Sequence, residues 1–110
     1  METIENNKLI AEFMNLNLYK SFWYKSNIAT EKQICKENNL QFHSDWNWLM
    51  EVVEKIESLG YRIEIVKHIC RIYLSNKETI IISENIPKIE AVYNACVEFI
   101  KWYNNQNKVS

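Results

Sequence analysis

A chain of 110 residues that uses one glycine and one proline has almost no backbone punctuation, so the places where those two residues stand constrain the fold more than any other feature. Gly60 closes a helical block that begins near His43, in the C-terminal position where a left-handed conformation costs glycine least. Pro87 opens a second block running to Tyr103, in the first turn, where its missing N–H is of little consequence. Between the two blocks lie short β-like runs. The expected architecture is therefore α+β: a three-stranded antiparallel meander packed with two long helices, preceded by an N-terminal helix.

Ser44 or Asp45 is expected to cap the first long helix. Its core stripe reads Trp46, Leu49, Met50, Val53 and Ile56, broadened by Trp48, Val52 and Leu59. In the last helix Ile89, Val92, Tyr93, Cys96, Phe99, Ile100 and Tyr103 recur at helical spacing, while Trp102 lies off that stripe. Tyr61 to Val66, Ile69 to Ser75 and Thr79 to Ser83 read as strands, joined by connections too short for a parallel crossover, with a turn at Asn76-Lys77. Ile63, Ile65, Cys70, Ile72, Leu74, Ile80 and Ile82 are expected on the inner face; Arg62, Glu64, Arg71, Tyr73 and Thr79 are expected on the outer one.

Toward the N-terminus, Thr3 or Asn7 is a candidate cap for a helix to about Asn15, with Leu9, Ile10, Phe13 and Met14 facing the core. Leu16 to Tyr24 is an aromatic-rich run consistent with a strand or an ordered loop. Residues 25–41 give no single reading: Thr30 with Gln33 fits a capping box for one or two turns, and the polarity of Lys36 to Asn39 fits an exposed loop equally well. Residues 1–110 are expected to form one domain with a frayed tail over 104–110.

A formal net charge of −1 gives no global attraction to nucleic acid. The first five residues carry acid where a secretory leader has basic residues and an apolar run, and no stretch approaches the roughly 18 apolar residues of a membrane span, so a cytoplasmic location is expected. Three cysteines, Cys35, Cys70 and Cys96, are an odd number without close pairing and read as reduced thiols. His68 and Cys70, spaced to share one face of a strand, are too few ligands for a metal site, and neither metal nor other cofactor is expected.

His43-Ser44-Asp45 has the residue types of a hydrolytic triad, but sequence neighbours do not adopt the mutual geometry of one, and helix initiation is the better reading. Glu51, Glu54 and Glu57 align along one helix face without a second carboxylate helix and read as a solvated face. A single glycine excludes the glycine-rich phosphate cradles. The remaining surface candidates are Phe22, Trp23 and Tyr24 between Lys20 and Lys25, where aromatics interleaved with cations suit RNA stacking, a protein hot spot or plain core burial. Arg62, Arg71 and Tyr73 on the outer face of the meander are further candidate contacts.

The segments Asn7 to Met14, His43 to Ile56 and Lys88 to Tyr103 resemble, in that order, small phage- and prophage-encoded proteins of the α/β/α-sandwich group. That resemblance implies a role in the contest between phage and host, and so an anti-CRISPR-like, non-enzymatic inhibitor of an RNA-guided nuclease, contacting the effector protein or its guide RNA. The alternative is an accessory protein that binds nucleic acid or regulates replication, and a third reading is a small enzyme without a known motif. The family carries no catalytic residues onto this chain, and the oligomeric state is left open.

Overall fold

The computed structural model describes residues 2–26, 31–74 and 78–106. Their order is α1 (Glu2–Phe13), β1 (Leu16–Tyr19), β2 (Phe22–Ser26), β3 (Glu31–Lys36), α2 (Trp46–Ser58), β4 (Tyr61–Val66), β5 (Ile69–Leu74), β6 (Thr79–Glu84) and α3 (Lys88–Gln106). The class is α+β with two antiparallel three-stranded sheets, β1-β2-β3 and β4-β5-β6, so the expected meander is present and a second one stands beside it. Thr30 and the turn at Asn76-Lys77 fall outside the described residues, whereas Gln33 lies in β3 rather than in a helical turn.

α3 is the central support: it packs on β5 and β6 and also touches α1 and α2, while α2 covers β4. This is why burial extends beyond the expected stripe to Ala91, Ala95 and Val97 as well as Val92, Tyr93, Cys96, Phe99 and Ile100. The helix continues to Gln106, three residues into the segment expected to fray. Trp102 meets Tyr61, with ring centroids 6.0 Å apart, and Phe99 lies 4.8 Å from Tyr61, so the aromatics at this end tie α3 to the start of β4. Phe13, edge-on to Phe99, brings α1 into the same cluster.

α2 starts as expected, with Asp45 Oδ1 accepting from the Asn47 amide at 2.8 Å, and ends before Gly60 at φ +101°. Its buried residues are Leu49, Val52, Val53 and Ile56. Trp46 and Met50, assigned to the core stripe from spacing, are exposed instead, because the helix packs on β4 and α3 with Leu49, Val52, Val53 and Ile56 as its buried stripe. α1 begins at Glu2, five residues before Asn7, and includes Thr3, so neither residue is its cap; Asn7 is buried. Lys55 Nζ donates to the carbonyl of Phe13 at 2.8 Å, supplying one of the partners that the last turn of α1 lacks.

Within β4-β5-β6 the inward rows are Ile63–Ile72–Ile81 and Ile65–Cys70–Ser83. Ile82, expected inside, is exposed, and Ile81 packs against the core. The reason is a bulge opposite Ile72/Tyr73: the register steps from Ile72↔Ile81 to Tyr73↔Thr79, and Ile80 is the extra residue. One inserted residue reverses the facing of everything beyond it.

Candidate partner-binding surfaces

The aromatic-cationic segment 20–25 folds into the β1-β2 hairpin. Tyr19↔Phe22 is the last pair, and Lys20 and Ser21 between them have φ of 50° and 69°, a two-residue loop with both residues left-handed. Lys20 is thus exposed at the hairpin tip, its ammonium 5.4 Å from the Tyr19 ring centroid. Trp23 is 2 % exposed, and its indole Nε1–H donates to the Glu37 carbonyl at 3.0 Å. It therefore belongs to the core and not to an exposed anchor of three aromatics. Strand periodicity explains the split, since Phe22 and Tyr24 must point to the face opposite Trp23 and Lys25. Both are half-buried, and Lys25 is exposed.

Arg62, Arg71 and Tyr73 do share a face, the outer side of β4-β5-β6. Arg62 and Tyr73 are register partners, and the guanidinium carbon stands 5.8 Å from the tyrosine ring centroid. In the next row Arg71 Nη1 meets Glu64 Oε1 at 3.1 Å, with Ile82 beside them on β6. The third row is Val66–Ile69–Glu84, and His68 at the turn meets Glu84 Oε2 at 3.0 Å. Val66 and Ile82 are 51 % and 60 % exposed, so the face mixes both charge signs with open aliphatic surface. The eight candidate contacts are divided between two sheets, five on β1-β2 and its tip and three on this outer face. His68 and Cys70 do not converge either: Cys70 is fully buried under the sheet, whereas His68 turns to Glu84.

The motif His43-Ser44-Asp45 is dispersed. Asp45 caps α2, Ser44 Oγ donates to Gln41 Oε1 at 2.8 Å, and His43 Nδ1 meets Asn7 Nδ2 at 3.0 Å. Asn7 Nδ2 also donates to the Leu40 carbonyl at 3.2 Å, and its Oδ1 accepts from Tyr93 O–H at 2.9 Å. The Leu40 carbonyl fixes the orientation of the amide, so His43 Nδ1 must accept and its proton sits on Nε2. This network joins α1, the 40–43 segment and α3 through a buried amide whose two N–H groups and oxygen all have partners, a role not visible in the spacing of any of its members. Burial first, and then the nearby charge of Glu2, push the Tyr93 phenol up to about 12. Burial likewise pushes the Cys70 thiol to about 12 and raises those of Cys96 and Cys35. All three cysteines are free.

Among the described residues no three His, Cys, Asp or Glu side chains gather as metal ligands, and no helix is long and apolar enough to cross a membrane. A concavity of about 590 Å³ lies between Leu16, Lys25, Lys32 and Ile34 of β1-β2-β3 and the first turns of α2. The chain matches no protein-family model, no curated protein and no solved structure.

Proposed function

We propose that this chain is a non-enzymatic binding protein that inhibits a host-defence factor, with an RNA-guided nuclease as the target. The supporting observation is the open outer face of β4-β5-β6, where Arg62 lies over Tyr73, Arg71 pairs with Glu64, and Ile82 and Val66 stand exposed beside them. Aromatic and arginine side chains next to apolar surface are the materials of a protein–protein hot spot. Glu64 and Glu84 on the same face weigh against phosphate-backbone binding, which favours the effector protein over its guide RNA and over the nucleic-acid-binding alternative. The host-defence context itself comes from the resemblance to phage-encoded proteins.

The test is inhibition of RNA-guided interference in cells, followed by capture of the effector with wild-type protein and with Tyr73→Ala. The reading predicts inhibition, one co-purifying nuclease, and a loss of about 2 kcal/mol or more of binding in the variant without loss of fold. No interference phenotype against any effector type, together with no captured nuclease, overturns it. Binding to free nucleic acid that falls steeply with salt supports the replication or nucleic-acid alternative instead.

A further inference from the structure

The concavity between β1-β2-β3 and α2 has the composition of a ligand site. Its floor and walls include buried Phe42 and half-buried Leu16, Ile34 and Trp48, with the Phe42 and Trp48 rings edge to face at 5.1 Å. Lys25 and Lys32 line the sheet side. They are direct register partners in the row Leu16–Lys25–Lys32, and like charges placed opposite each other in adjacent strands repel. Among the side chains described, neither lysine has an ion-pair partner, and Glu51 on the helix wall pairs with neither. A lysine on an edge strand guards against edge-to-edge pairing, which accounts for Lys32 on β3. It does not account for Lys25, which lies on the central strand.

We infer that this concavity is a binding site for a small amphipathic monocarboxylate, its apolar body lying along Trp48 and Ile34 and its anion held between Lys25 and Lys32. The lining carries Lys25, Lys32 and Glu51, a net charge of +1, which a monoanion neutralises and a dianionic phosphate exceeds. The volume of about 590 Å³ lies in the range that holds one small molecule, not an extended polymer. The site is separate from the outer face of β4-β5-β6 and does not depend on the inhibitor reading.

The experiment titrates decanoate, below its micelle concentration, into the full-length chain at neutral pH and near-physiological salt, with calorimetry for stoichiometry and amide NMR for location. Decanol serves as the neutral control, and the second protein is Lys25→Gln/Lys32→Gln, checked for a melting temperature no lower than that of the wild type, since the repulsion between the two lysines is removed. Saturable one-to-one binding is expected, with shifts centred on residues 14–16, 32–34 and 47–51 and on the Trp48 indole. Decanol and the double variant should each bind at least about tenfold more weakly, the scale of a lost charge-assisted contact. Absence of saturable decanoate binding overturns the site, as does equal binding of decanol or an undiminished affinity in the double variant. Many weak sites spread over the surface, or capture of an acidic peptide in place of decanoate, also overturn it.

Discussion

In the sheet β4-β5-β6, two full rows point into the core and two helices lie against them; in β1-β2-β3, one fully buried side chain, Trp23, stands among strands whose other described side chains are half or wholly exposed. The first sheet is held by repeated apolar alternation, so its stability is distributed over many contacts. The second is held by local devices: a two-residue hairpin loop, an indole hydrogen bond to the Glu37 carbonyl, and the attachment of its first strand to α1. Sheets of similar size can thus differ in how many residues must be correct for them to form. The side with fewer requirements is the one free to carry unusual surface chemistry, such as facing lysines.

Alkali should separate the two regions most strongly. The ionisable groups buried deepest, Cys70, Cys96 and Tyr93, lie beneath β4-β5-β6 or on α3. Cys70 rises from 9.0 and Tyr93 from 10.0, each to about 12. The unfolded chain therefore loses these protons first as pH rises, so it binds fewer protons than the folded one and stability falls with pH. The contribution is intact below about pH 9 and is lost progressively toward pH 12, enough to unfold a marginally stable domain. Circular dichroism during an alkaline titration should show cooperative loss of the helices over that window, and Cys70→Ala should make the fall of stability with pH shallower, with Cys96 still titrating from the same lower end.

Removal of one hydroxyl should loosen the joint between the regions. Tyr93→Phe leaves Asn7 Oδ1 buried without its donor, which should cost about 1–3 kcal/mol in urea denaturation. A loss near zero would mean that the amide is satisfied another way.

The smallest expected effect is a gain. Lys20 and Ser21 occupy left-handed conformations that suit Asn-Gly, so Lys20→Asn/Ser21→Gly should stabilise the β1-β2 hairpin by about 1 kcal/mol. Amide exchange in β1 and β2 should slow while β4 and β5 stay unchanged.

The same contrast explains what could be read from the amino-acid order. Gly60 and Pro87 mark real helix boundaries, and the β4-β5 facing follows from alternation because no residue interrupts it. The facing of β6 was not legible, since the extra Ile80 is one isoleucine in a run of three and carries no mark of a bulge. Trp46 and Met50 sit at correct helical spacing, but which part of a wide apolar arc meets β4 is decided by the neighbours. β3 was hidden because Lys32, Gln33 and Lys36 show no apolar alternation, and its pairing with β2 is carried by the backbone. For Trp23, burial and exposure predict the same letters: periodicity separates it from Phe22 and Tyr24 but puts it on the face of exposed Lys25, and only its packing in the core and the carbonyl of Glu37 within reach of the indole decide it. The lysine pair at the concavity likewise appears only once the register of β2 and β3 is known.

Trp23 is the one fully buried side chain by which β1-β2-β3 joins the buried cluster, so the sheet is expected to open when it is truncated while the rest of the core stays folded. Strand-by-strand amide hydrogen exchange of Trp23→Ala tests this most directly. A truncation of this kind removes about 3–5 kcal/mol where it acts. Protection should collapse in β1, β2 and β3 while amides of β4 and β5, Ile72 among them, keep protection close to that of the wild type, as expected of separate opening units. A uniform drop in protection across both sheets would contradict it, because Trp23 would then be one more member of a single cooperative core.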